Sequence, residues 1–119
     1  KKDISTKDAK VLIMGVTFKE NCPDIRNSGV ISLIKEFKML NCNVDFYDPW
    51  VNNDMCIDGY KINSIQKLEK GKYDVIILAV AHNEFKKMSP KQIRILGKKK
   101  YVVYDIQYLL KPKQVDGRL

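Results

Sequence analysis

The chain has no apolar run approaching the roughly 20 residues of a membrane-spanning helix, and its opening segment KKDISTKDAK has no apolar core of the signal-peptide kind. A membrane-embedded or exported protein is therefore not expected, and a soluble, cytoplasmic one is. Cysteine is sparse: Cys22, Cys42 and Cys56 are odd in number and contain no C-x-x-C pair, which argues against a disulfide framework or a zinc site. Internal repeats and low-complexity tracts are also missing. At 119 residues the chain has room for one core, hence one domain, and 45% hydrophobic with 30% charged residues is an ordinary globular balance.

Charge is what the sequence has in excess. Lys plus Arg number 22 against 14 Asp plus Glu, a formal net charge of +8, so anionic partners such as nucleotides, phosphosugars or nucleic acid are favoured. The lysines, including Lys98–Lys100, lack the interleaved aromatics and recognition motif of a nucleic-acid reader, so they are read as a solvated surface and no nucleic-acid partner is expected. The chain begins at Lys1 in a polar stretch. Residues 1–9 read as a linker remnant and 10–119 as one domain of a longer polypeptide.

KVLIMG (10–15) reads as a buried parallel strand, and NSGVISLIKEFKML as a helix with Asn27 or Ser28 as N-cap. NVDFYDPW is a strand broken at Asp48-Pro49; a short strand YKI and a helix SIQKLEKG follow. YDVIILAVAH, the most apolar run, is assigned the centre of the sheet. SPKQIRILG is a compact helix with Ser89 as N-cap, Pro90 at its first position and Gly97 as its stop, and YVVYDI closes the sheet. This alternation predicts a three-layer α/β/α sandwich around a mostly parallel, doubly wound sheet of about five strands. Ligands in such sheets sit beyond the carboxyl ends of the strands, where TFKENCPDIR, YDPW, AHNEF and DIQYLL share one rim.

The loop GVTFKENCPDIRNSG (15–29) is too long for a plain connector. Asp48 lies where a ribose-binding acid would follow a second strand, but Gly15 is followed by Val16, Thr17 and Phe18, so the three-glycine dinucleotide fingerprint is absent. Lys19 and Arg26 flank a helix start, a favourable place for a phosphate or carboxylate, and Asp24 can orient the Arg26 guanidinium; a surface salt bridge is the plainer alternative. Cys22 has no assigned base and reads as a structural thiol, as do Cys42 and Cys56. His82, the only histidine, either faces the rim or caps the next helix. Trp50, Tyr101, Tyr104 and Tyr108 read as packing residues in or beside strands.

Taken together, GVTFKENCPDIRNS, VDFYDPWV, YDVIILAVAHNEF, VVYDI and the terminal VDGRL resemble the C-terminal, UDP-binding domain of the UDP-glucose/GDP-mannose dehydrogenase family, from residue 10 to 119. The F-K followed by D-x-R-x-S carries the resemblance. ENCPD and AVAH look most like the branch acting on UDP-N-acetylglucosamine or UDP-N-acetylgalactosamine. Gln107 stands in DIQ where the glucose branch carries an arginine near DG, a departure from the UDP-glucose pattern.

The resemblance implies a Rossmann-like fold and a parent enzyme that oxidises the C6 hydroxyl of a UDP-sugar to a carboxylate with NAD, for surface polysaccharides. It implies Phe18, Lys19 and Arg118 as substrate-binding residues, Arg26 as a contact to NAD, and Asp24 as support. NAD would be bound mainly by an N-terminal domain, and the nucleophilic cysteine would come from a middle segment; neither is in this chain. The fragment alone is expected to be inactive, and the parent a homodimer or larger. The alternative is a stand-alone nucleotide or phosphosugar-binding module without catalysis.

Overall fold

The computed structural model describes residues 8–17, 29–51, 53–57, 59–80 and 82–105. Among the described residues, six strands and three helices follow in the order β1 (Lys10–Met14), α1 (Gly29–Met39), β2 (Asn43–Tyr47), β3 (Met55–Ile57), β4 (Tyr60–Ser64), β5 (Tyr73–Leu78), α2 (Asn83–Lys86), α3 (Pro90–Arg94) and β6 (Gly97–Asp105). They form one sheet in the order β3-β4-β2-β1-β5-β6. Every pairing is parallel except the antiparallel β3-β4 edge.

Burial on both faces explains why β1 reads as an unbroken apolar run. Val11 and Ile13 point to one side, with Ile34, Val44 and Phe46, and there α1 lays Val30, Ile31, Leu33 and Phe37 against them. Leu12 and Met14 point to the other, with Ile76, Leu78 and Val103, and there Phe85 of α2 and Ile93 of α3 cover the sheet. Three layers result, as the alternation of elements predicts. Each of these fully buried aliphatic side chains contributes about 1.5–3 kcal/mol of transfer free energy.

α3 starts as its sequence predicts. Ser89 accepts from the Gln92 backbone N–H at 3.2 Å, Gln92 Oε1 accepts from the Ser89 N–H at 2.7 Å, and Pro90 opens the helix. Gly97 does not stop that helix but begins β6, and it is glycine because the Tyr101 ring occupies the space of a Cβ. The candidate caps Asn27 and Ser28 lie outside the described residues.

Two further expectations fail. SIQKLEKG forms no helix: Ser64 ends β4, the Ile65 N–H still donates to Phe46 O at 2.9 Å, and Gly71 turns with φ +64°. Ile65 and Leu68 pack on the α2/α3 side of the sheet, so the apolar side chains of this stretch are buried from an irregular segment without a helix. The centre of the parallel array is β1, not β5, which lies between β1 and β6. Hydropathy reports burial on both faces, which both strands have, and does not report rank in the sheet. No helix among the described residues is long and apolar enough to cross a membrane.

Candidate functional site

From β1 the chain winds through α1 to β2 on one side, and from β5 it winds through α2 and α3 to β6 on the other. The winding direction reverses between β1 and β5. Loops leaving such a pair part from each other and open a crevice at the carboxyl ends of the strands, the usual ligand site of this architecture.

The two exits are locked at their base. Gly15 has φ +96°, and a Cβ there would stand 2.5 Å from the Val80 Cβ, so only glycine lets the β1 exit pass this close to the β5 exit. The Gly15 N–H donates to Tyr47 O at 3.0 Å, while the Ala79 and Val80 N–H groups donate to Met14 O at 3.0 and 3.3 Å.

Asp48 then ties three exits together. Its Oδ1 accepts from the Trp50 N–H at 2.8 Å, closing its own turn. Its Oδ2 accepts from the Val16 N–H of the β1 exit at 2.8 Å and from Nε2 of His82, on the β5 exit, at 2.9 Å. A carboxylate only accepts, so Nε2 carries the imidazole proton, and the Thr17 Oγ1 stands 3.2 Å from the same nitrogen. The Asp48 and His82 side chains are wholly buried. Trp50 stacks on His82 with ring centroids 6.1 Å apart and donates its indole N–H to Glu84 Oε1 at 3.2 Å, while Phe85 closes the other side of the imidazole at 5.5 Å.

Of the two readings of His82, the second holds: it is the N-cap residue of α2, its backbone carbonyl accepting from the Phe85 and Lys86 N–H groups, while its ring makes no cap hydrogen bond and is buried beneath the rim. Trp50 packs beside β2 as expected, stacked on His82, and is 39% exposed at the rim. Asp48 is not open to a ribose, because both its oxygens are engaged internally. Cys42 is buried in the core, where desolvation pushes its thiol up, as a structural thiol requires; Cys56 is exposed. Phe18, Lys19, Cys22, Asp24, Arg26, Gln107, Tyr108 and Arg118 lie outside the described residues. The Asp48–His82 pair has a sequence signal that composition alone hides: an aspartate directly after one strand and the single histidine just past another, both on the carboxyl rim.

A model of the UDP-glucose/GDP-mannose dehydrogenase family, UDP binding domain, matches residues 12–112. The chain belongs to this family. It is 45% identical over all its 119 residues to the UDP-N-acetyl-D-glucosamine 6-dehydrogenase of Salmonella typhi and 47% identical to that of Pseudomonas aeruginosa, and it spans 28% of the length of each. The solved UDP-D-ManNAc dehydrogenase of Pyrococcus horikoshii shares its fold, with a TM-score of 0.73 at 21% identity over 97% of this chain and 26% of that one. So does the NDP-N-acetyl-D-galactosaminuronic acid dehydrogenase of Methanosarcina mazei, with a TM-score of 0.76 at 19% identity over 92% of this chain and 23% of that one. These likenesses agree with a Rossmann-like, mostly parallel sheet, and the carboxyl ends of β1 and β5, where its winding reverses, are where such a sheet offers a ligand.

Proposed function

We propose that this chain is the C-terminal, UDP-sugar-binding domain, starting near residue 10, of an NAD-dependent dehydrogenase that oxidises the C6 hydroxyl of a UDP-N-acetylhexosamine to a uronate. The observation that carries the reading is 45–47% identity along the whole chain to two UDP-N-acetyl-D-glucosamine 6-dehydrogenases, together with the match to the family's UDP binding domain. The uronate would serve surface polysaccharide synthesis in the cytoplasm of the producing cell.

The roles divide by chemistry. Phe18 and Lys19, on the loop that leaves β1, and Arg118 near the chain end would hold the UDP-sugar, the two cations against its phosphates and reacting sugar. NAD, when bound, accepts the hydride. The described residues do not form its adenosine site: the glycine fingerprint is missing and the Asp48 carboxylate is consumed by Val16, Trp50 and His82. NAD binding belongs mainly to a part of the parent outside this chain, with Arg26 reaching toward it and Asp24 orienting that guanidinium. The net charge of +8 favours approach of a nucleotide diphosphate.

The test is NAD reduction by the full-length protein, with UDP-N-acetylglucosamine, UDP-N-acetylgalactosamine and UDP-glucose in parallel. Turnover of an N-acetylhexosamine is expected to exceed that of UDP-glucose. Lys19→Ala should lower kcat by about a hundredfold or more with the unfolding midpoint kept, because an electrostatic contact made in the transition state is lost. Wild-type turnover in that variant would remove Lys19 from the site.

A further inference from the structure

We propose that Thr17 and His82 form a positioning device, in which the Nε2–H of the imidazole, shared between Asp48 Oδ2 and the accepting Thr17 Oγ1, fixes the direction in which the chain leaves β1 toward Lys19. This rests on the reading above that the loop carries Lys19, two residues beyond Thr17. Three observations support it. The contact spans the point where the winding of the sheet reverses, joining the β1 exit to the β5 exit. Thr17 is 1% and His82 0% exposed, so both act from beneath the surface of the rim. The imidazole is itself held by Asp48 at 2.9 Å and by Trp50 and Phe85 on its flanks, so it is a fixed rather than a mobile partner.

The chemistry of the cluster fits orientation better than stability. A buried carboxylate-imidazole-hydroxyl set could be replaced by apolar side chains of the same volume with little loss of folding free energy. What apolar packing cannot do is define one angle for an exit. Gly15 N–H on Tyr47 O, Val16 N–H on Asp48 and Thr17 Oγ1 at His82 Nε2 are three consecutive anchors where the chain leaves β1. Thr17, whose branched side chain is stiff about χ1, is the last of them. A misplacement of about 1 Å in a catalytic group can cost on the order of a hundredfold in rate, which is the scale such anchoring protects.

Thr17→Val removes only the hydroxyl, and Thr17→Ser restores it. In the full-length protein assayed with UDP-N-acetylglucosamine and NAD, Thr17→Val should lower kcat roughly ten- to a hundredfold with KM changed less than about threefold, and Thr17→Ser should recover most of the loss. Urea midpoints of both variants should stay near wild type. A Thr17→Val enzyme with wild-type kcat, or a Thr17→Ser enzyme as impaired as Thr17→Val, overturns the proposal. If the wild-type protein oxidises no UDP-sugar, the dehydrogenase reading fails while the positioning device is judged by calorimetric titration with UDP. Binding roughly tenfold weaker in Thr17→Val but not in Thr17→Ser then supports it, and equal affinity overturns it. A wild-type protein that neither oxidises UDP-sugars nor binds UDP overturns both.

Discussion

The two ends of the sheet both carry aspartates, and they treat them in opposite ways. Toward the amino ends, Asp74 accepts from the Lys10 N–H at 2.8 Å and pairs with Lys98 at 3.1 Å, while Asp45 accepts from the Tyr73 hydroxyl at 2.9 Å and faces Lys72 at 3.7 Å. These carboxylates meet flexible ammonium groups that keep contact with water. At the carboxyl ends Asp48 meets no lysine among the described residues; it is buried and satisfied by two backbone amides and an imidazole. The amino end adds lysines to one amide and one hydroxyl donor and so neutralises its charge, whereas Asp48 is held by two amides and an imidazole. A site that must hold loops at fixed angles uses donors that cannot wander, because a lysine contact survives small shifts of the chain and a backbone amide does not.

Asp48→Ala should break the comparison most sharply. It strands two amides and an imidazole in the interior, and a loss of about 3–5 kcal/mol is expected, read as a lowered urea midpoint by circular dichroism. A loss under about 1 kcal/mol would place Asp48 on the same footing as the amino-end carboxylates.

Tyr73→Phe tests the buried half of the amino end. Losing the hydrogen bond to Asp45 should cost about 1 kcal/mol at neutral pH. Burial, with the Asp45 hydrogen bond and the charges of Asp45 and Glu69 adding to it, pushes the Tyr73 phenol well above its usual value. The folded state then binds that proton more tightly than the unfolded chain, so its stabilisation is present below about pH 10 and is lost as pH rises beyond it. The phenylalanine variant should lose less stability than wild type between neutral pH and pH above about 10, measured by urea titration at each pH.

Lys98→Ala should have the smallest effect. Lys98 is 41% exposed, and its pair with Asp74 is worth less than about 1 kcal/mol, falling further in high salt. A larger, salt-independent loss would mean that the amino end is also built for precision.

How far the sequence alone reaches is clearest at particular residues. The α3 cap was legible because Ser89, Pro90 and Gln92 act within one turn, and local chemistry decides it. The β1 and β5 strands were legible because burial on both faces leaves a continuous apolar run. SIQKLEKG is no helix because the burial of Ile65 and Leu68 is set by a sheet face formed by distant strands. His82 could be placed on the rim but not given a partner, since Asp48 is 34 residues away and Thr17 is 65.

Composition, periodicity and turn chemistry determined the class of fold, the three layers and the start of α3, since each follows from interactions among neighbours in the chain. Only the tertiary structure decided that β1 is central, that the winding reverses between β1 and β5, and that Thr17, Asp48 and His82 meet. Those facts depend on which strands pair, and strand pairing is a property of contacts closed across long stretches of chain, where hydrophobic pattern says what is buried but not beside what.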